Sequence, residues 1–188
     1  MLFRSRSLLA VLFSVCTFSA VASADLSSLS EGRFKIEGAA KPKIGPRLNF
    51  DGKGSVRGEQ QGDKIVFTAD LKNKLDMGER TEHAKEDFEC NKHPDAKLVV
   101  EKSALKMPDD QKETSGHVKG ELTLHGVTKP VKVQYTTKRM GSDYAVRGSF
   151  HFKYTEFGIK PICRFKGSIC VEPDVKVSVS GLKLREKG

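Results

Sequence analysis

Tryptophan is absent from the 188 residues, and aromatic side chains amount to only 7%. Aromatic residues are nowhere interleaved with basic ones and no basic block appears, so a nucleic-acid interface has little to be built from. No apolar run reaches the roughly 20 residues that a membrane-crossing helix needs, which excludes a polytopic helical membrane protein. Acidic residues are in the minority, 24 against 33 Lys and Arg, leaving a net charge of +9. Such a balance permits contact with acidic partners without specifying one. The chain is also too short for a second catalytic domain and fits one domain plus a processed segment.

That segment is residues 1–24. Arg4 and Arg6 provide a basic start, an apolar stretch follows, and Ala22-Ser23-Ala24 has the small-residue form of a cleavage site. The pattern predicts a secretory signal cut after Ala24, and hence a periplasmic or secreted protein; a membrane anchor is the competing reading. Loss of Arg4 and Arg6 lowers the net charge by only two, so the basic excess belongs to the folded part. Residues 25–32 read as a polar lead-in, and residues 33–188 as the folded domain.

Cysteine is scarce as well. Beyond the leader only Cys90, Cys163 and Cys170 remain, an odd number for an oxidising compartment. Cys163 and Cys170 bracket a short segment with a turn-forming glycine, so a local disulfide is the simplest assignment, and Cys90 is read as a semi-buried free thiol. There is no C-x-x-C, and the five histidines show no metal-ligand spacing along the chain, so neither a metal nor a cofactor is expected. His83 lies among Glu82, Glu86 and Asp87, but with no nucleophile elbow or phosphate-cradling loop this reads as a solvated charged helix. No catalytic residue is expected.

What the sequence has in abundance is period two. Ile65, Phe67, Ala69 and Leu71 alternate with polar residues apart from Val66, as do Val131, Val133 and Tyr135, then Val175, Val177 and Val179 with none apolar between them. The longest stripe places Tyr144, Val146, Phe150, Phe152 and Tyr154 on one face with Gly148 among them. A glycine there marks a bend or bulge. Shorter strands are expected at residues 34–36, 48–50, 98–100 and 122–124, with turns at residues 61–63, 108–110, 126–130, 140–143 and 166–168. The exception is the charged stretch over residues 76–94, where residues 79–88 form the best helix and Pro94 ends the excursion. About eight antiparallel strands with one long connection suit an all-β barrel, because closure pairs every edge amide; a two-sheet sandwich is the competing architecture.

The segment Gly120-Glu121-Leu122-Thr123-Leu124-His125-Gly126-Val127-Thr128-Lys129-Pro130-Val131 resembles the YceI family, whose signature runs G-x-L-T-I/L-x-G-V-T-x-P-V. Arg80-Thr81-Glu82-His83, Lys92-His93-Pro94 and Glu156-Phe157-Gly158-Ile159 follow the family's R-D-x-H, K-Y-P and D-F-G-I in the same order. The chain departs from that pattern at Thr81, where an Asp is common, at His93, where an aromatic precedes the proline, and in its Cys163 and Cys170 pair. The resemblance implies an antiparallel lipocalin-like barrel, exported to the periplasm, that holds an isoprenoid or fatty-acid derivative and catalyses nothing.

The large inward side chains are then Phe67, Leu71, Leu124, Tyr135, Phe150, Phe152 and Tyr154, expected to touch an apolar ligand, with the two tyrosine hydroxyls available to a headgroup. His125 is read as a structural residue at a turn. The function expected is sequestration or transport of an apolar lipid-like molecule. The alternative is a non-catalytic scaffold whose barrel is filled by its own side chains and whose basic exterior meets an anionic membrane or envelope surface. No nucleic-acid partner is expected, and a homodimer is among the assemblies the sequence allows.

Overall fold

A strand in a closed sheet has one dry and one wet face, and the alternation along this chain is resolved in that way. The computed structural model describes residues 25–187, so the expected leader lies outside the described residues. Eight staves form the ring: β2 (Gly32–Pro42), β3 (Leu48–Gln61), β4 (Lys64–Asp70), β5 (Asp95–Glu101), β6 (Glu113–Leu124), β7 (Val127–Met140), β8 (Asp143–Lys153) and β11 (Asp174–Lys187). Each pairs antiparallel with its neighbour in chain order, and β11 completes the ring by pairing with β8 on one side and β2 on the other. The Val177↔Ile36 and Val177↔Phe150 pairs mark that closure, which decides for a barrel over a sandwich.

Three further strands lie at its ends. β1 (Asp25–Ser30) pairs with the last part of β11, and a short hairpin of β9 (Cys163–Arg164) and β10 (Ile169–Val171) extends the sheet beside β2. Within residues 25–32, expected as a polar lead-in, Asp25–Ser30 form a strand: Leu26 is buried and its amide donates to Gln60 Oε1 at 3.1 Å.

Tight turns carry positive φ where the chain reverses. Gly62 and Gly141 do so at the β3–β4 and β7–β8 turns, whereas both His125 (52°) and Gly126 (76°) do so between β6 and β7. Two left-handed central residues are the type I′ geometry, which matches the twist of a hairpin. Gly148 lies at the expected irregularity, but the extra residue is in the partner: between Val179 and Leu182 the β11 register slips against β8, with Gly181 in the left-handed region.

The connection over residues 71–94 holds α1 (Leu71–Lys74), capped by Asp70, whose carboxylate accepts from the Asn73 amide at 2.9 Å, and α2 (Thr81–Asp87). α2 is the expected helix, trimmed at both ends, whereas the single turn of α1 is additional. Strand β8 ends at Lys153, and Tyr154–Phe157 form a 3-10 turn, so Tyr154 keeps its inward place without being on a strand.

The two ends of the barrel differ. At the end bearing the β3–β4 and β7–β8 turns, Leu26, Ile65, Leu182, Leu184 and Tyr144 are buried and fill the interior. The residues between β5 and β6 fold over that end. There Tyr135 Oη accepts from the Lys106 amide at 3.0 Å, and Thr137 Oγ1 donates to the Lys106 carbonyl at 2.6 Å. The opposite end carries the long connections and stays open.

Candidate functional site: an apolar cavity with a polar mouth

The hollow begins where the filled end stops. Its volume is about 700 Å³, and each of the seven residues expected to face the interior (Phe67, Leu71, Leu124, Tyr135, Phe150, Phe152 and Tyr154) borders it. The interior is thus hollow rather than filled by its own side chains. Small residues make the room: Ala69 on β4, Ala96 on β5 and Gly148 on β8 line the wall where longer side chains would protrude. Aromatic rings pack along the wall, Phe152 edge-on to Phe157 with ring centroids 5.4 Å apart.

Both tyrosine hydroxyls are hydrogen-bonded within the protein. Tyr154 Oη donates to the Val171 carbonyl and accepts from the Ile162 amide, both at 3.1 Å, and Tyr135 Oη is engaged by the Ala104 carbonyl and the Lys106 amide. Backbone groups thus engage both hydroxyls. Among the described residues no buried side-chain nitrogen or oxygen lacks a hydrogen-bond partner.

Polar side chains reach the cavity from its mouth. Arg80, His83 and Asp87 come from the region of α2, and Arg164 comes from the β9–β10 hairpin. Arg164 Nη2 meets Asp87 Oδ2 at 2.6 Å, a clasp from the hairpin to α2 across the opening. Arg80 borders the cavity and, among the described residues, has no carboxylate in ion-pair range. Arg147 also borders it, but pairs with Glu113 at 3.4 Å. His83 is exposed and 3.8 Å from Glu86, in keeping with a solvated helix face. In the sequence His83 and Asp87 read only as part of a solvated charged helix and Arg80 only as part of a family motif, and Arg164 gave no signal, because no spacing rule links α2 to the hairpin.

Cys163 and Cys170 are bonded and lie opposite each other on β9 and β10, so the bridge staples the hairpin at the mouth. Cys90 is a free thiol, more buried than expected, and burial pushes its ionisation upward. Beside it the fold gathers Glu89, His93 and His125, with ligand atoms within 4.8 Å of one another. The expectation of no metal rested on spacing along the chain, which cannot register a grouping made by two separate loops.

The rim is apolar as well as basic. Ile44 is 93% exposed, Phe165 76% and Leu48 46%, and the loop after β2 is tied to the hairpin by the Lys43 amide, which donates to the Ser168 carbonyl at 2.9 Å. Lys41, Lys43 and Lys166 share this rim and are exposed, with no carboxylate in ion-pair range among the described residues.

Three comparisons agree with this architecture. A UPF0312 protein of Pseudomonas putida strain KT2440 is 36% identical over 113 residues, which are 56% of this chain and 54% of the relative. One from strain W619 is 37% identical over the same length, so the chain spans about half the length of the curated relatives it matches. Among solved structures, a polyisoprenoid binding domain from Saccharophagus degradans implicated in plant cell wall breakdown superposes with a TM-score of 0.67, at 14% identity, over 87% of this chain and 99% of that one. Burkholderia cenocepacia BcnA superposes with a TM-score of 0.53, at 18% identity, over 80% of this chain and 95% of that one. At such identities the likeness is one of fold. The model of the YceI-like domain, however, matches residues 27–181, nearly the whole described barrel, and the chain belongs to that family.

Proposed function

We propose that this protein is an exported carrier that takes a long apolar molecule, an isoprenoid or fatty-acid derivative, into its barrel and moves it through water. The hollow of about 700 Å³ carries the proposal. Its size is within the roughly 300–1,000 Å³ of small-molecule sites. An alkyl chain burying about 400 Å² of apolar surface gains about 10 kcal/mol. Association costs about 4–15 kcal/mol, so apolar burial alone favours long chains over short ones. Arg80 at the mouth suits a ligand whose outer end is a carboxylate or phosphate.

Loading takes place at an anionic lipid surface, approached with the mouth down. Ile44, Leu48 and Phe165 provide apolar anchors there, and Lys41, Lys43 and Lys166 provide the charge.

Organic extraction of protein purified from its native source, followed by mass spectrometry, should release one apolar compound per chain. Ala69→Trp, which places an indole in the cavity, should abolish uptake of a long-chain fatty acid while leaving the circular dichroism melt cooperative. Arg80→Gln should weaken uptake of that acid more than uptake of the matching alcohol. Empty extracts together with no uptake of either lipid would sink the carrier reading.

A further inference from the structure

Outside the apolar cavity, at the same end of the barrel, three side chains converge that the carrier function does not use. Glu89 and His93 belong to the loop leaving α2, and His125 to the β6–β7 turn. We infer that Glu89, His93 and His125 bind a divalent transition metal of the zinc class through one carboxylate and two imidazoles.

The geometry of His125 is the strongest reason. Its Nδ1 lies 3.2 Å from the Phe157 carbonyl, which can only accept, so Nδ1 carries a proton and donates it. The other nitrogen, Nε2, faces the Glu89 carboxylate at 3.3 Å. Two donors bound at about 2.0–2.1 Å to a tetrahedral zinc are separated by about 3.3 Å. A metal-bound imidazole ordinarily gives its second N–H to a carbonyl or carboxylate, the arrangement Phe157 provides. A proton could also bridge Nε2 and the carboxylate, but it would need no third donor. His93 is that third donor, with its ring centroid 4.7 Å from that of His125. Room for the His93 ring exists because residue 126 is glycine: a Cβ there would lie 2.9 Å from His93 Cε1.

The backbone supplies an independent observation. Glu89 has φ 48° and His125 φ 52°, two of only four non-glycine residues with positive φ among those described. A residue other than glycine is strained in that region, and such strain collects at functional sites. The first central position of a type I′ turn favours Asn, so a histidine there gives up turn stability to place an imidazole. Lys92 Nζ is 3.2 Å from Glu89 Oε2 and shares that carboxylate with the metal. With three protein donors the remaining position falls to water. Two imidazoles select zinc, copper or nickel over calcium or magnesium. Binding braces the exit of α2 against the β6–β7 turn and so steadies one wall of the mouth.

The test is direct. Chelator-stripped full-length protein is titrated with zinc sulfate in a calorimeter and melted with and without zinc. One zinc per chain should bind at micromolar or tighter affinity and raise the melting temperature, and magnesium should do neither. His125→Asn keeps a residue suited to positive φ, so it should melt at least as high as the metal-free wild type while losing zinc affinity tenfold or more. His93→Tyr and Glu89→Gln should each lose affinity as well, the carboxamide less than the phenol. No stoichiometric zinc uptake by the wild type would overturn the inference. So would wild-type affinity in a folded His125→Asn or His93→Tyr. Lipid content plays no part in these readings, so they stand or fall apart from the carrier function.

Discussion

At the residue scale, the same side chains that face the cavity also hold it open. Tyr154 is 1% exposed, and its hydroxyl ties the Ile162 amide and the Val171 carbonyl, on either side of the β9–β10 hairpin, to the end of β8. Tyr154→Phe leaves the ring in place and both backbone groups without that partner. An unsatisfied buried group costs about 1–3 kcal/mol, so the urea midpoint should fall accordingly. The bound lipid should also leave faster, because the segment released forms part of the rim. An unchanged midpoint and release rate would mean that water replaces the hydroxyl at no cost. The aromatic–glycine pairs follow similar logic. A Cβ at Gly54 would run into the Phe34 ring and approach the Lys74 carbonyl at 2.8 Å, so the absent side chain is what lets Phe34 lie flat across β3.

At the element scale, the staves were legible from alternation and the mouth was not. Ile65, Phe67 and Ala69 betray β4 because burial on one face imposes period two. β1 left no alternation to read because it is a short serine-rich stretch, and its partner, the end of β11, is at the far end of the chain. The turn of α1 is too short to show a helical period. Alternation also looks the same whether the dry face meets a packed core or a void, so the hollow itself could not be read. The clasp between Asp87 and Arg164 joins elements far apart in sequence and left no local trace. With side chains 23% and 44% exposed, that ion pair adds no more than about 1 kcal/mol to stability. Asp87→Asn should therefore barely move the melting temperature, yet speed lipid release several-fold by stopped-flow displacement. Removing the hairpin staple acts differently: Cys163→Ser with Cys170→Ser gives up about 2.5 kcal/mol of loop-closure entropy. Hydrogen exchange should then rise over residues 163–171 while the eight staves keep their protection.

At the scale of the whole molecule, the barrel is polarised. One end is filled with aliphatic side chains and the Tyr144 ring, and the other gathers the long connections, the cavity opening, and three of the four large hydrophobic side chains exposed among the described residues. Docking mouth-down on a bilayer should therefore depend on charge and on grease together. Wild-type protein should co-sediment with vesicles containing anionic phospholipid and much less with neutral ones, and raising salt should release it as the Debye length shortens. Ile44→Ser, at a rim residue that does not border the cavity, should weaken that sedimentation without changing uptake of free fatty acid from solution. Equal binding to neutral and anionic vesicles would rule out the electrostatic part.

The odd thiol has a consequence for how the chain matures. Three cysteines beyond residue 24 allow three different bridges, and only the union of Cys163 with Cys170 staples the hairpin. What withdraws Cys90 from the contest is enclosure, since an unpaired sulfur at 2% exposure is shut away from oxidants and from its two rivals. That shelter exists only after the surrounding elements have come together. Cys90 is thus a native tally of completed assembly: open to alkylating reagents in a half-made chain, sealed in a finished one.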